Sequence, residues 1–156
     1  MISVAGVLQS EIKMPELPKI LFLCTGNSCR SQMAEGLCNF YNTDIFKAYS
    51  AGIEIHGLNM SAVKVMKEIG IDISNHRSKT VHEIEKKEFD FVITVCGHAH
   101  ESCPYFPAKT RIIHRGFDDP PFHAKNEKNE EDKLKHYRRV RDEIKEYVLT
   151  LPETLL

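Results

Sequence analysis

The sequence predicts a three-layer α/β/α domain built on a four-stranded parallel sheet. Three observations carry that prediction. Strand-like runs alternate with helical patterns along the chain, the order that makes parallel strands joined by right-handed crossovers. The run 20–23 is continuously apolar, as a strand covered on both faces must be, and 89–95 is the clearest strand. Two of these runs lead straight into Cys24 and Cys96, at the strand ends where open α/β sheets place their functional loops.

The elements follow in order. Ile20-Leu-Phe-Leu23 is the first strand, and a helix is expected from Ser31 as its cap, with Met33, Ala34, Leu37 and Phe40-Tyr41 facing inward. Phe46 to Ser50 reads as a second strand that ends at the Ala51-Gly52 turn. Asn59 to Ile69 carries Ala62, Val63, Met66 and Ile69 at helical spacing, closed by Gly70. Thr80-Val-His-Glu83 has the composition of a capping box on a short helix. After the strand at 89–95, residues 96–111 read as irregular, broken by Gly97, Pro104 and Pro107. Arg111–His114 is a short fourth strand, 116–121 a loop, and 126–135 a charged, solvated run. The last helix places Tyr137, Val140, Ile144 and Val148 on one face and is expected to end near Pro152. Residues 1–17 read as a poorly structured N-terminal extension, and 18–156 as a single catalytic domain.

Composition narrows the function classes. A net charge of −1 offers no global attraction for nucleic acid or an anionic membrane. No apolar run approaches the roughly 20 residues that span a bilayer, and the first residues lack a basic leader. Five cysteines without a secretion signal point to a reducing, cytoplasmic setting, where clustered thiols are catalytic or metal-binding rather than structural. The odd count also argues against a simple paired framework.

The chemistry centres on Cys24-Thr-Gly-Asn-Ser-Cys-Arg30-Ser31. The residues between Cys24 and Arg30 carry no bulky side chain, so the loop can turn its N–H groups onto a tetrahedral oxyanion while the following helix adds positive potential. Thr25, Gly26, Asn27, Ser28, Cys29, Arg30 and Ser31 are the expected anion ligands. Arg30 adds a guanidinium fork for two of the anion's oxygens. The same field favours a thiolate at Cys24, making it a nucleophile. Elsewhere, the thiols of Cys96-Gly-His98-Ala-His100-Glu-Ser-Cys103 read as catalytic or as a zinc site. Its donors suit tetrahedral zinc, but the crowded Cys-x-His-x-His spacing differs from common zinc signatures. Cys29 and Cys38 read as packing residues.

The Cys24–Ser31 loop after a strand resembles the anion loop of the low-molecular-weight protein tyrosine phosphatases. The longer run from Cys24 to Gly36 resembles the thioredoxin-coupled arsenate reductases built on that fold. So do Tyr49–Glu54, His56–Asn59, Met66–Glu68, Ile71–His76, Gly116–Pro120 and Arg139–Ile144, in the family's order over roughly residues 18–150. The resemblance implies a relay. Cys24 attacks arsenate, Cys96 attacks Cys24 and releases arsenite, and Cys103 resolves the disulfide, leaving Cys96–Cys103 for thioredoxin to reduce. It further implies Asp119 as the acid that protonates a departing oxygen, a hydrogen bond from Ser31 to Cys24, a loop-shaping role for Asn27, and arsenite handed to an efflux system. A monomer acting on arsenate without cofactor or metal is expected. Two other readings stay open: a phosphatase using only Cys24, Arg30 and Asp119, and a thiol-based metal or arsenite binder. Against the phosphatase, Asp-Pro-Pro-Phe stands where phosphatases put an aromatic directly after Asp-Pro.

One departure from the family stands out. Some members bind potassium beside the anion loop through residues matching Asn27, Glu35 and Ser50, together with a Thr and an Asp where this chain has Arg77 and Lys79. A lysine in place of a carboxylate opposes a bound cation. The expectation is that the Lys79 ammonium or the Arg77 guanidinium supports Glu35 instead.

Overall fold

The computed structural model describes residues 15–84 and 87–156. Of the expected N-terminal extension, residues 1–14 lie outside the described residues; 15–18 have no regular structure. Four strands form one all-parallel sheet in the order β2-β1-β3-β4: β1 Lys19–Cys24, β2 Lys47–Gly52, β3 Phe91–Thr94 and β4 Arg111–His114. Ile20, Leu21, Phe22 and Leu23 are all fully buried. Successive side chains of a strand point to opposite faces, so both faces of β1 are covered, as its unbroken apolar run requires. The strand is central, and Cys24 leaves the sheet between Gly52 at the end of β2 and the segment that follows β3.

The helices are α1 Arg30–Tyr41, α2 Met60–Glu68, α3 Gly97–Glu101, α4 Pro120–Ala124 and α5 Glu130–Leu155, with one 3-10 turn at Val81–Ile84. In α1, Met33, Ala34 and Leu37 are buried as the spacing predicts, but Phe40 is 51 % exposed. Asn59 caps α2 by accepting from Ala62 N at 3.0 Å, and Gly70 takes the left-handed conformation (φ +83°) just past its end. Glu83 completes half of the expected capping box, accepting from Thr80 N at 2.9 Å. Among the described residues no helix is long and apolar enough to cross a membrane.

Four local expectations are corrected. Ser31 is not a cap: α1 begins one residue earlier, Cys29 holds the cap position without a side-chain bond, and Ser31 is buried inside the first turn. The irregular stretch after Cys96 opens with α3, because Cys96 caps it with its sulfur, accepting from Ala99 N at 3.4 Å. The 116–121 loop gives way to helix at Pro120, whose fixed φ suits a first helical position. The charged run becomes helical at Glu130, capped by Asn129, and α5 continues through Pro152 to Leu155. Pro152 has no N–H for the Val148 carbonyl one turn back. Asn42 Nδ2 donates to that carbonyl at 3.0 Å instead, so the carbonyl the proline leaves is still paired.

Candidate active site

The loop from Cys24 to Arg30 is built by its carbonyls. Ile53 N donates to Cys24 O (3.1 Å), Glu54 N to Thr25 O (2.9 Å), His56 N to Gly26 O (2.9 Å) and Asn59 N to Ser28 O (3.0 Å). Ser78 Oγ also donates to Gly26 O at 2.8 Å, and Gln32 Nε2 to Asn27 O at 3.2 Å. Every peptide here is trans, so each N–H points opposite to the carbonyl before it. With the carbonyls of 24–28 turned outward, the N–H groups of 25–29 turn into the ring. That arrangement is an anion nest.

Two backbone features let the ring close. Asn27 has φ +49°, a left-handed conformation that asparagine adopts more readily than most residues, and its fully buried side chain fixes it there. Asn27 Nδ2 donates to Ser31 Oγ (2.9 Å), while Asn27 Oδ1 accepts from Gln32 Nε2 (3.0 Å) and Lys79 N (3.0 Å). Gly26 lies under the His56 ring; a Cβ there would sit 2.2 Å from His56 Nδ1. The expected bond from Ser31 to Cys24 does not form among the described residues; Ser31 Oγ serves Asn27 instead.

Arg30 reaches across the mouth of the nest. Its Nη1 donates to Phe117 O at 2.9 Å and its Nη2 lies 3.6 Å from Asp119 Oδ1, while its buried Nε has no partner among the described residues. Asp119 sits at the N-cap of α4, partly exposed, on the rim of a cavity of about 50 Å³ lined with Cys24, Gly26, Ser28, Arg30 and Pro121. The size suits a small oxyanion head.

All five cysteines are free thiols. Thr25 Oγ1 lies 3.1 Å from Cys96 Sγ, which joins the anion loop to the end of β3. Cys24 and Cys96 interact through their side chains, with opposite effects on their acidities. The Cys96 side chain and burial raise Cys24 above the ordinary thiol range despite Arg30. Cys24, the Thr25 hydroxyl, the Ala99 N–H and Arg30 lower Cys96 against the cost of burial. The two thiols titrate as a pair, with Cys96 the more acidic member. Cys103 is half-buried, which raises its pKa. Burial raises Cys29 strongly and pushes Cys38 up to about 12, in keeping with packing roles.

His98 and His100 lie on α3 with exposed side chains, and His100 stacks on His114 at 4.3 Å. Among the described residues no three His, Cys, Asp or Glu side chains converge as metal ligands. The support under the loop was not assigned from sequence: Gln32, His76, Ser78 and Asn59, the last of which donates to Tyr137 Oη at 3.2 Å. Gln32 and His76 belong to the resembling segments, and that was the available signal.

An activated thiol pair over a nest of N–H groups and a guanidinium defines a class: enzymes that use cysteine as a nucleophile on tetrahedral oxyanions. The chain belongs to the low molecular weight phosphotyrosine protein phosphatase family, whose model matches residues 19–156. It is 53 % identical to an arsenate reductase of Halalkalibacterium halodurans over 135 residues, covering 86 % of this chain and 95 % of that one. Among solved structures it resembles an arsenate reductase in the phosphate-binding state, with a TM-score of 0.71 and 28 % identity over 90 % of this chain and all of that one. It also resembles a low molecular weight protein tyrosine phosphatase from T. tengcongensis, with a TM-score of 0.69 and 30 % identity over 88 % and 99 % of the two chains.

Proposed function

We propose that this chain is an arsenate reductase that works by a relay through Cys24, Cys96 and Cys103. The observation that carries the reading is the seating of Cys96 against the anion loop, with Thr25 Oγ1 3.1 Å from its sulfur. A phosphatase has no use for a second, more acidic thiol beside its nucleophile; a two-electron reduction requires one.

The oxyanion docks on the N–H groups of 25–29 and on Arg30. As Cys24 attacks, its proton passes to Cys96, a sulfur–arsenic bond forms, and one oxygen leaves with a proton from Asp119. With Cys24 bonded to arsenic, Thr25, the Ala99 N–H and Arg30 favour loss of the Cys96 proton to solvent. The Cys96 thiolate then attacks Cys24 Sγ. The sulfur–arsenic bond breaks, its electron pair stays on arsenic, arsenic(V) becomes arsenic(III), and arsenite departs from a Cys24–Cys96 disulfide. Cys103 attacks Cys96, frees the Cys24 thiolate and leaves Cys96–Cys103, which a thioredoxin dithiol reduces. Cys103 lies beyond the end of the five-residue α3, whose unwinding lets it approach Cys96. The enzyme acts as a cytoplasmic monomer, and its arsenite passes to an efflux system.

The test is arsenate-dependent NADPH consumption with thioredoxin and thioredoxin reductase. Cys24→Ser and Cys96→Ser abolish it, and Cys103→Ser releases arsenite once and then stops. Normal turnover by Cys103→Ser sinks the relay. The placement of Asp119 at the mouth, 3.6 Å from Arg30, also suits a phosphatase. Cys96→Ser separates the two: hydrolysis of an aryl phosphate survives that change, and arsenate reduction does not.

A further inference from the structure

Beneath the anion loop lies a polar cluster that the relay does not use. Glu35 on α1 is nearly buried, its side chain 12 % exposed, and its carboxylate is already surrounded. Ser50 Oγ donates to Oε1 at 3.0 Å, His76 Nδ1 stands 3.1 Å from Oε2, and the Lys79 ammonium, itself 14 % exposed, lies 3.8 Å from Oε1. Lys79 Nζ also donates to Arg77 O at 3.5 Å. The Arg77 guanidinium turns away to Glu83 at 2.9 Å, so of the two candidate cations only Lys79 reaches Glu35.

The cluster is wired to the loop. His76 Nδ1 is 3.0 Å from Gln32 Oε1. Gln32 Nε2 faces only acceptors, Asn27 O, Asn27 Oδ1 and Arg77 O, so Oε1 is the end presented to His76. With a carboxylate and an amide oxygen as its neighbours, His76 Nδ1 must carry a proton. The chain of contacts runs Lys79, Glu35, His76, Gln32, Asn27, and Asn27 is the left-handed residue that shapes the nest. The backbone N–H of Lys79 closes the circuit on Asn27 Oδ1.

We propose that the Lys79 ammonium is a built-in monovalent cation that positions the anion loop through Glu35, in the place where some relatives use potassium. An alkali-metal ion does not fit beside Glu35 here, because Lys79 already supplies the positive charge among Glu35 Oε1 and Arg77 O. Lys79 is a positioning residue: it touches neither anion nor thiol. The inference rests on the loop as an oxyanion cradle and not on the redox steps.

The test is calorimetric binding of inorganic phosphate to the full chain in sodium chloride and in potassium chloride at equal ionic strength. Wild type binds equally in both. Lys79→Ala exposes Glu35 without its cation, binds phosphate several-fold more weakly in sodium, and regains affinity in potassium. Lys79→Arg keeps wild-type, salt-indifferent binding, and Glu35→Gln combined with Lys79→Ala removes the potassium response. Strong potassium stimulation of wild type overturns the proposal, as does a Lys79→Ala variant with unchanged affinity or a loss that potassium does not restore. Absence of phosphate binding by wild type in both salts overturns the cradle itself.

Discussion

Thr25 Oγ1 lies 3.1 Å from Cys96 Sγ, so a residue of the anion loop holds the sulfur that attacks that loop's own cysteine in the proposed relay. The contact ties substrate binding to the second chemical step. Hydrogen bonds to charged groups contribute about 1.5–3 kcal/mol. Thr25→Val keeps the shape and removes the hydroxyl, so it slows arsenite release about tenfold or more in single-turnover assays. Arsenate affinity changes little, because the loop N–H groups remain. Equal loss in both steps would point to a distorted loop instead.

The thiol pair predicts an unusual titration. Cys96 has its pKa lowered to about 5 and Cys24 is raised well above the thiol range. A thiol is charged above its pKa, so one thiolate appears as the pH rises through about 5, and the second only at strongly alkaline pH. Ultraviolet thiolate absorbance reads both steps. Cys96→Ser removes the acidic one; its persistence in that variant would place the charge on Cys24.

Gly26 under His56 offers a steric test. A Cβ at 26 meets the ring at 2.2 Å and the His56 Cβ at 2.7 Å, so rotating the imidazole alone does not relieve Gly26→Ala. The 53–56 segment must move, and with it the bonds from Glu54 N and His56 N that turn the loop carbonyls outward. Gly26→Ala therefore weakens phosphate binding, and His56→Gly added to it recovers most of the loss. Additive effects in the double-mutant cycle would show that the two positions do not meet.

The central strand sets stability. Phe22 is fully buried in β1, and Phe22→Ala costs about 3–5 kcal/mol of unfolding free energy measured in urea. Arg139→Ala, by contrast, removes exposed pairs to Asp118 (3.0 Å) and Glu143 (3.1 Å) and changes stability by about 1 kcal/mol or less.

Much of the architecture was legible because its signals are local. A continuous apolar run marks β1 and a strand-rich one β3, helical spacing marks α1, α2 and α5, and Asn59 and Gly70 mark the ends of α2. The boundaries that were missed depended on partners distant in sequence. Helix α5 passes Pro152, and Asn42, over a hundred residues earlier, donates to the Val148 carbonyl that proline abandons. Ser31 has the side chain of a cap, but in the fold its hydroxyl oxygen accepts from Asn27 in the loop.

The sequence alone determined the nucleophile loop, its arginine, and the presence of two further thiols at a spacing suited to a relay, since small residues, charge and cysteine positions are properties of the chain itself. Tertiary structure decided which sulfurs meet and what surrounds each. Parallel pairing of β1 with β3 brings Cys24 and Cys96 together from positions 72 residues apart. Burial then penalises one thiolate, while Thr25 and the N-terminus of α3 hold the other. Acidity depends on what surrounds a group, and a linear sequence does not list surroundings.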